Sequence, residues 1–283
     1  MVTYFYLIAG ICIAAVMPVK MKIGIESEDF LLEKSIKRVD FTIHFEPLTK
    51  IDLSEFEIVD RFETVRIYKR DQDYVKEIVD ANGVPYAWFW NRKFLWQYLK
   101  GAERHFVYSG RVLNLYGLEN ILLRYDAFIL HSSFIRWRDR ALLFSGPSGT
   151  GKTTQACLWE HYENAEILNG DRTAVRRVRD RWVAYGLPLA GSSKIYKNDS
   201  SEIAAIVIIK KSSENQLQIM EPSKAFISLY SETLIQIWDT EFQREVIDLI
   251  ICVCQSVPVF CLQCRPDRDA VNLLKMKLEE LHL

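Results

Sequence analysis

This 283-residue sequence has almost no excess of either charge, few cysteines and few long apolar stretches. Lysine and arginine total 36 against 37 aspartates and glutamates, so the formal net charge is −1. No overall field therefore attracts nucleic acid or an anionic membrane, and neither is expected as a partner. Six cysteines are too few for a dense disulfide framework, which favours a reducing, cytoplasmic location. With 49% hydrophobic residues, the chain has enough apolar side chains for one large or two small cores.

The longest apolar run is the first 18 residues, MVTYFYLIAGICIAAVMP. A signal peptide has a basic segment before its apolar core, and no basic residue precedes Lys20. A membrane helix needs about 20 apolar residues, and this run contains Gly10 near its middle and ends at Pro18. The β-branched and aromatic residues favour two buried strands that meet at Gly10, with a targeting or membrane segment as the alternative.

Residues 1–125 are predicted to form a β-rich module. Short apolar runs such as FTIHF and VPYAWFW are separated by turn signals, among them Asn82-Gly83. The module is rich in aromatic side chains, which form either its core or a face for docking a peptide. The most closely spaced of them are Trp88, Phe89, Trp90, Phe94, Trp96 and Tyr98.

Residues 126–283 are predicted to form a second domain in which strands and helices alternate. AFILHSSFIRW and ALLFSG resemble a hairpin, and AEILNGD, IAAIVIIKK and VPVFCLQC have the composition of strands. Helical spacing predicts a helix at TTQACLWEHY, at EFQREVIDLIICV and at DRDAVNLLKMKLEELHL, and another that continues through PSKAFISLYSETLIQIWD as far as Trp238. The whole chain is therefore predicted to be α/β (α+β), with a mixed sheet flanked by helices after a β-rich module.

The strongest chemical signal is GPSGTGKT at residues 146–153, which satisfies G-x-x-x-x-G-K-[ST] between a strand and a helix. Gly146, Gly149 and Gly151 allow successive backbone N–H groups and the helix N-terminus to face phosphate oxygens. Lys152 supplies a positive charge, and the Thr153 hydroxyl is a candidate ligand for Mg²⁺. Further candidates for phosphate contact are Ser148, Thr150 and Thr154. The alternative is a glycine-rich turn without a ligand.

An acidic residue is needed to hold the metal or accept a proton, and Asp171 is the first candidate. It follows Ile167 and Leu168 at the end of a predicted strand, where its carboxylate would emerge beside the loop. The alternative is an ordinary turn residue in Asn169-Gly170-Asp171. Arg172 follows directly and is a candidate for orienting phosphate or substrate.

Residues 131 to about 193 resemble the catalytic domain of HPr kinase/phosphorylase and its phosphoenolpyruvate carboxykinase-like relatives. The resemblance rests on the order LHSS, a hairpin, GPSGTGKT, ILNGDRTAVRR and YGLPLAGSSKIYKN. The sequence is most similar to HPr-kinase-like proteins associated with ribosomally made peptides, such as lasso-peptide kinases. The resemblance implies a P-loop fold, ATP and Mg²⁺ as cofactors, and a serine in a peptide or small protein as acceptor. Members of the family assemble into rings, so the resemblance also allows a homo-oligomer.

The resemblance assigns roles to matching positions. Lys152 corresponds to the lysine on the nucleotide phosphates, and Thr153 to the hydroxyl on the metal. The family usually has two adjacent aspartates, one the general base and one nearer the metal, whereas this sequence has Gly170-Asp171. Asp171 then takes the place of the second aspartate. His131 corresponds to the histidine near the acid, where an imidazole orients the carboxylate or assists proton transfer, unless it is structural.

A glycine- and proline-containing loop at residues 185–193 is similar to the loop that covers the substrate side in this family. Gly191 shapes the loop, and Ser192 and Ser193 offer donors to phosphate or peptide, although an exposed loop without function has the same composition. Together with Arg172 they form the predicted substrate loop.

Three functions are consistent with these motifs. The first is an ATP-dependent kinase acting on a Ser/Thr hydroxyl of a peptide or small protein, with Lys152, Asp171 and His131 as catalytic residues. The second is a nucleotide-binding regulatory module without transfer activity, which the single aspartate favours. The third is a small-molecule kinase. A separate module at residues 1–125 suits recognition of a macromolecular acceptor better than of a metabolite.

Overall fold

The computed structural model describes residues 1–32, 38–109, 117–189 and 191–283. The chain divides into two compact units. Unit 1 contains Met1–Ile121 and Gln236–Gln243, and unit 2 contains Leu122–Ile235 and Arg244–Leu283. Each unit contains a mixed sheet of parallel and antiparallel strands with helices beside it. The predicted α/β class and the β-rich N-terminal part are therefore confirmed.

Unit 1 is built on an eight-stranded sheet with the strand order β1-β2-β3-β8-β7-β6-β5-β4. Strand β3 pairs in parallel with both β2 and β8, and the other neighbours are antiparallel. The strands are β1 (Val2–Ile8), β2 (Ile11–Met17), β3 (Phe41–Leu48), β4 (Glu57–Arg61), β5 (Val65–Arg70), β6 (Asp73–Val79), β7 (Pro85–Trp90) and β8 (Leu95–Leu99). Helix α1 (Ile25–Glu28) and a 3-10 turn (Glu103–Phe106) also belong to this unit, and helix α2 (Leu118–Leu123) begins in it and ends two residues past its boundary.

The first 17 residues form the hairpin β1–β2. Ile8 pairs with Ile11 across a two-residue turn, in which Ala9 and Gly10 both have positive φ. Positive φ at both central positions matches the right-handed twist of the paired strands. The prediction of two strands that meet at Gly10 is correct. No helix among the described residues is long and apolar enough to cross a membrane.

The predicted aromatic cluster of unit 1 lies mainly in its core. Trp88, Phe89 and Trp96 are at most 2% exposed, and the Phe89 and Trp96 rings stack with centroids 4.7 Å apart. Trp90 and Phe94 are only partly buried. Buried rings of this kind contribute large apolar areas to a core, so the interpretation as core holds for the fully buried members.

Unit 2 is built on a sheet with the order β10-β9-β12-β13-β14-β16-β15. Strand β10 pairs with both β9 and β14, and β11 pairs with β9. Strands β10, β14 and β16 run parallel to one another. The strands are β9 (Ala127–Trp137), β10 (Arg140–Ser145), β11 (Glu166–Asn169), β12 (Arg172–Val178), β13 (Arg181–Gly186), β14 (Ser200–Lys211), β15 (Gln216–Ile219) and β16 (Val259–Cys264).

Four helices accompany this sheet: α3 (Lys152–Glu163), α4 (Pro222–Glu232), α5 (Thr240–Ser256) and α6 (Arg268–Glu280). Helix α3 buries Lys152, Gln155, Ala156 and Trp159, which stand at i, i+3, i+4 and i+7 and therefore share one face. Trp159 is fully buried against Trp137, with ring centroids 5.1 Å apart. This packing anchors the helix that follows the glycine-rich loop.

The prediction of one helix through Trp238 is wrong. Helix α4 ends at Glu232, because Thr233 is extended (φ −89°, ψ 141°). Thr233 forms a β-bridge with Leu130, and the backbone N–H of Leu234 donates to the Ile129 carbonyl at 2.9 Å. Pairing with β9 therefore overrides the four-residue apolar spacing that continues beyond the helix.

Candidate functional site

The glycine-rich loop lies where β10 ends, at the carboxyl edge of the three parallel strands. The predicted hairpin β9–β10 leads into it, and Ser145 at the end of β10 donates its hydroxyl to the His131 carbonyl at 2.9 Å. Helix α3 starts directly after the loop at Lys152. A strand, a loop and a helix N-terminus in this order direct unpaired backbone N–H groups toward a common point.

The loop glycines are required by backbone conformation. Gly149 and Gly151 have φ of +78° and +109°, and no described atom lies within 4 Å of the position that a Cβ would take at either one. Residues with a side chain rarely adopt such φ values, so glycine is needed even though the space is open. At Gly146 a Cβ would also lie 3.0 Å from the Ile209 carbonyl oxygen. The loop is therefore close to β14 on one side and open on the other.

Lys152 lies over this loop and is 7% exposed. Its Nζ donates to the carbonyl oxygens of Gly146 at 2.7 Å and Pro147 at 3.2 Å, and it forms no ion pair with any described residue. Burial lowers the pKa of the Lys152 ammonium, and the carboxylates of Glu232 and Asp171 oppose that shift. A buried ammonium that is bound only by carbonyls is poorly compensated, so it has a strong electrostatic preference for an anion.

The hydroxyl groups predicted to contact phosphate lie around the same loop. Thr150 donates its hydroxyl to the Pro147 carbonyl at 2.8 Å. Ser148, Thr153 and Thr154 are exposed on the loop tip and the first turn of α3. These side chains are therefore accessible from solvent on the open side of the loop.

A cavity of about 410 Å³ adjoins the loop. Its volume falls within the range of small-molecule sites, about 300–1,000 Å³. One wall is formed by the loop and α3, and the other by the carboxyl ends of β14 and β16, where open α/β sheets commonly bind ligands. The lining residues are Gly149, Thr150, Gly151, Thr154, Gln155, Ile209, Lys211, Ser212, Cys264 and Pro266.

Gln155 is an additional residue of this cavity, because it lines the wall and is 2% exposed. Its Nε2 donates to the Cys264 sulfur at 3.2 Å, whereas its Oε1 has no hydrogen-bond partner among the described residues. A buried amide oxygen without a donor is costly, so this oxygen is available to a ligand in the cavity.

Asp171 lies in a turn two residues beyond β11, which corrects the prediction that it ends the strand. The turn is organised by Asn169, which is fully buried. Its Oδ1 accepts the backbone N–H groups of Asp171 and Arg172, both at 2.9 Å, and its Nδ2 donates to the Leu187 carbonyl at 2.8 Å. Asp171 is therefore a turn residue, and this position still allows its carboxylate to be functional.

The Asp171 carboxylate is surrounded by positive and hydrogen-bonding groups. Its Oδ1 lies 3.5 Å from His131 Nε2, and its Oδ2 lies 3.5 Å from Arg172 Nε. The hydrogen bond from His131 lowers the pKa of Asp171; burial opposes this, and Arg172 and Lys152 add to it. Lys152 and Asp171 are thus close enough for each to shift the pKa of the other, which brings the loop lysine and the acid into one site.

Glu232 is a member of this site that the sequence analysis missed. Its Oε2 lies 3.1 Å from His131 Nδ1, and its side chain is 9% exposed. It stands at the last position of α4, in a segment assigned to a continuous helix from apolar spacing alone. No local motif marks a lone glutamate of this kind, because its proximity to His131 depends on the pairing of the following residues with β9.

The predicted substrate loop covers the Asp171 turn. Gly191 has φ +53°, and a Cβ there would lie 2.6 Å from Asp171 Cγ. At Gly170 a Cβ would lie 2.0 Å from the Ser193 hydroxyl oxygen. The Gly170 N–H donates to the Ile195 carbonyl at 3.2 Å, which joins loop and turn. The side chain of Ser192 lies outside the described part of the structure.

No protein-family model matches this sequence, and no curated protein matches it at a significant level. Among solved structures, the chain is similar to the Hpr(Ser) kinase/phosphatase from Coxiella burnetii. The two share 10% sequence identity with a TM-score of 0.31, over 54% of this chain and 94% of that one.

Proposed function

We propose that this protein is an ATP-dependent kinase that transfers the γ-phosphoryl group to a Ser/Thr hydroxyl of a peptide or small protein. The observation that carries the proposal is the buried Lys152 ammonium, which the carbonyls of an open glycine loop hold, with Asp171 among the carboxylates that act on its pKa. Phosphoryl transfer requires these two elements, a cationic cradle for the phosphates and a carboxylate beside it.

The loop and the start of α3 would hold the nucleotide phosphates, with Lys152 moving from the loop carbonyls to a phosphate oxygen. The adjoining cavity has room for the nucleoside part. Thr153 and Asp171 offer oxygen ligands of the type that Mg²⁺ prefers, and a magnesium–nucleotide complex needs only one or two protein ligands. When bound, Mg²⁺ neutralises charge on the transferring phosphoryl group.

Asp171 would accept the proton of the acceptor hydroxyl. Its lowered pKa keeps the carboxylate ionised at neutral pH, so it is available both to orient the hydroxyl and to take the proton as the new P–O bond forms. Arg172 is 36% exposed beside it and is suited to hold an anionic part of the substrate.

The second candidate is a nucleotide-binding regulatory module without transfer activity. It is favoured by Gly170, which stands where the resembling kinases have an aspartate, and by the Ser193 hydroxyl that fills the space beside it. A small-molecule kinase is the third. We propose residues 1–125 as the module that recognises a macromolecular acceptor, and a cytoplasmic location for the whole protein.

The test is to measure Mg²⁺-ATP binding and turnover by the full-length protein with a library of Ser- and Thr-containing peptides, and to identify products by mass spectrometry. Lys152→Ala should weaken nucleotide binding and abolish transfer. Asp171→Asn should retain ATP binding and reduce transfer by about 10²- to 10⁴-fold, the usual contribution of a positioned proton acceptor. The exposed residues Lys224 and Asp180 provide the matched controls Lys224→Ala and Asp180→Asn.

A gain of one phosphate on a peptide hydroxyl, lost in Lys152→Ala and Asp171→Asn but kept in both controls, would support the kinase. Tight ATP binding without transfer to any peptide would favour the regulatory module. Transfer to free serine or threonine at the same rate as to peptides would favour the small-molecule kinase.

A further inference from the structure

Glu232 is a buried carboxylate whose placement calls for an explanation. Its side chain is 9% exposed, and among the described residues it forms its ion pair with His131 alone. Burial of a carboxylate costs free energy unless the group is paired. A glutamate kept at such a position therefore serves either the fold or the group that it contacts.

The backbone on both sides of this contact is rigid. His131 lies in β9, where it pairs with Arg172 of β12. Directly after Glu232, the Thr233–Leu130 bridge and the bond from Leu234 N–H to the Ile129 carbonyl fasten the chain to the same strand. The Thr233 hydroxyl also donates to the Leu229 carbonyl at 2.7 Å. The end of α4 is therefore fixed one residue away from His131 along β9.

The two ring nitrogens of His131 face two different carboxylates. A carboxylate accepts hydrogen bonds, so the 3.1 Å contact with Glu232 favours the tautomer with its proton on Nδ1. This contact fixes the plane of the ring and directs Nε2 at Asp171, 3.5 Å away. Hydrogen bonds of catalytic groups are often long without substrate and shorten in the complex.

We propose that Glu232 is a positioning residue that acts through the His131 imidazole to hold the Asp171 carboxylate toward the acceptor hydroxyl. The inference rests on the proposed kinase function and extends it to a residue outside the P-loop and the Asp171 turn. The carboxylate of Glu232 also supports the charge of Lys152, so the test must separate an effect on the rate of transfer from an effect on nucleotide binding.

The test compares Glu232→Ala and the isosteric Glu232→Gln in the full-length protein, with Glu221→Gln at the exposed start of the same helix as control. We expect kcat to fall about 100-fold in Glu232→Ala, at the lower end of what a positioned proton acceptor contributes, with KM for ATP unchanged. The loss of kcat should be smaller in Glu232→Gln, because the amide oxygen still accepts a hydrogen bond from Nδ1–H. The control should match the wild type.

A double-mutant cycle separates positioning from a general loss of structure. If Glu232 acts through the ring, Glu232→Ala should have no further effect on kcat in a His131→Ala background. Equal fold-losses in the two backgrounds would overturn the proposal, and so would a wild-type kcat in Glu232→Ala.

A measurement without catalysis distinguishes failure of this inference from failure of the kinase assignment. In NMR spectra of protein with ¹⁵N-labelled histidine, the His131 Nδ1 proton should give a downfield signal, assigned by its loss in His131→Ala. The signal should vanish in Glu232→Ala and move in Glu232→Gln. An inactive wild type that shows these changes would refute the kinase and uphold the positioning contact. If the signal were the same in the wild type and in both Glu232 variants, the contact itself would be refuted.

Discussion

The two units differ in how they compensate buried charge. In unit 1, Glu77 is 3% exposed and accepts hydrogen bonds from Arg66 at 3.0 Å, Tyr68 at 3.2 Å and Trp88 at 3.1 Å. Lys76 and Glu119 also pair at 3.0 Å. In unit 2, Lys152 is nearly as buried but is held by carbonyl oxygens alone.

Gln236 and Gln155 show the same contrast between neutral side chains. Gln236 of unit 1 is 5% exposed, and its amide donates to Glu119 at 2.9 Å and to Asn120 at 2.6 Å. The amide oxygen of Gln155 in unit 2 is buried without a partner. A saturated network stabilises its unit, whereas an unpaired buried group costs stability unless a ligand completes it. Buried atoms without a partner among the described residues also occur in unit 1, at the Tyr6 and Tyr74 hydroxyls, so it is the position of Gln155 in the cavity wall that distinguishes it.

Replacing Lys76 in unit 1 and Lys152 in unit 2 by methionine gives the largest expected difference between the units. Lys76→Met takes the cation from the largely buried Glu119 carboxylate, which keeps its hydrogen bond from Gln236. The free energy of unfolding should therefore fall by about 3 kcal/mol, the lower end of the range for a broken buried pair.

Lys152→Met removes an ammonium that forms no ion pair with a described residue, and the nearby carboxylates keep other partners. Asp171 keeps His131 and Arg172, and Glu232 keeps His131. Stability should therefore be unchanged or higher. Chemical denaturation of both variants measures the difference.

The double variant Lys76→Met/Glu119→Gln is the control for this comparison, because it removes both charges. It should recover most of the stability lost in Lys76→Met. If Lys152→Met destabilised the protein as much as Lys76→Met, the distinction between the two lysines would be lost.

The Lys76–Glu119 pair also predicts a pH dependence of stability. Burial raises the pKa of Glu119, but Lys76 and its hydrogen bonds outweigh that effect and hold the pKa below the ordinary value, about 4.3 for glutamate. The pair thus contributes stability that is fully present above this value and is lost as the pH falls through the lower pKa of the folded state. Between pH 7 and pH 3 the wild type should lose more unfolding free energy than Lys76→Met/Glu119→Gln. Equal losses would show that Glu119 does not contribute.

The elements predictable from sequence are those that local physics determines. The glycine-rich loop, the β1–β2 turn at Gly10 and the flanking strands all follow from glycine conformation and apolar periodicity. The end of α4 at Glu232, the contact of Glu232 with His131 and the partners of Gln155 were not predictable, because each depends on residues distant in sequence. Nothing in the sequence marks Gln236–Gln243 as part of unit 1, since that segment joins the unit through distant hydrogen bonds. The Gln236 amide donates to Asn120, and the Asn91 amide donates to the Asp239 carboxylate.

Gly170→Asp tests why unit 2 has one acid where the resembling kinases have two. A Cβ at this position would lie 2.0 Å from the Ser193 hydroxyl oxygen, so the new carboxylate would displace the loop that covers Asp171. We expect transfer to fall rather than rise, measured as kcat with the best peptide acceptor. Gly170→Asp/Ser193→Gly, which removes the clashing side chain, should recover part of the loss. A higher kcat in Gly170→Asp alone would contradict this prediction and would mean that the loop accommodates the new side chain without loss of function.

The smallest expected effect is that of replacing each buried glutamine by methionine, a side chain of similar volume. An unpaired buried acceptor costs about 1–3 kcal/mol, so Gln155→Met should leave the unfolding free energy unchanged or raise it by about 1 kcal/mol, against the loss of only a weak bond to sulfur. Gln236→Met should lower it, because Glu119 and Asn120 each lose a donor. If Gln155 Oε1 serves a ligand, Gln155→Met should also weaken ATP binding measured by calorimetry. Equal destabilisation by the two substitutions would contradict the contrast between a saturated and an incomplete network.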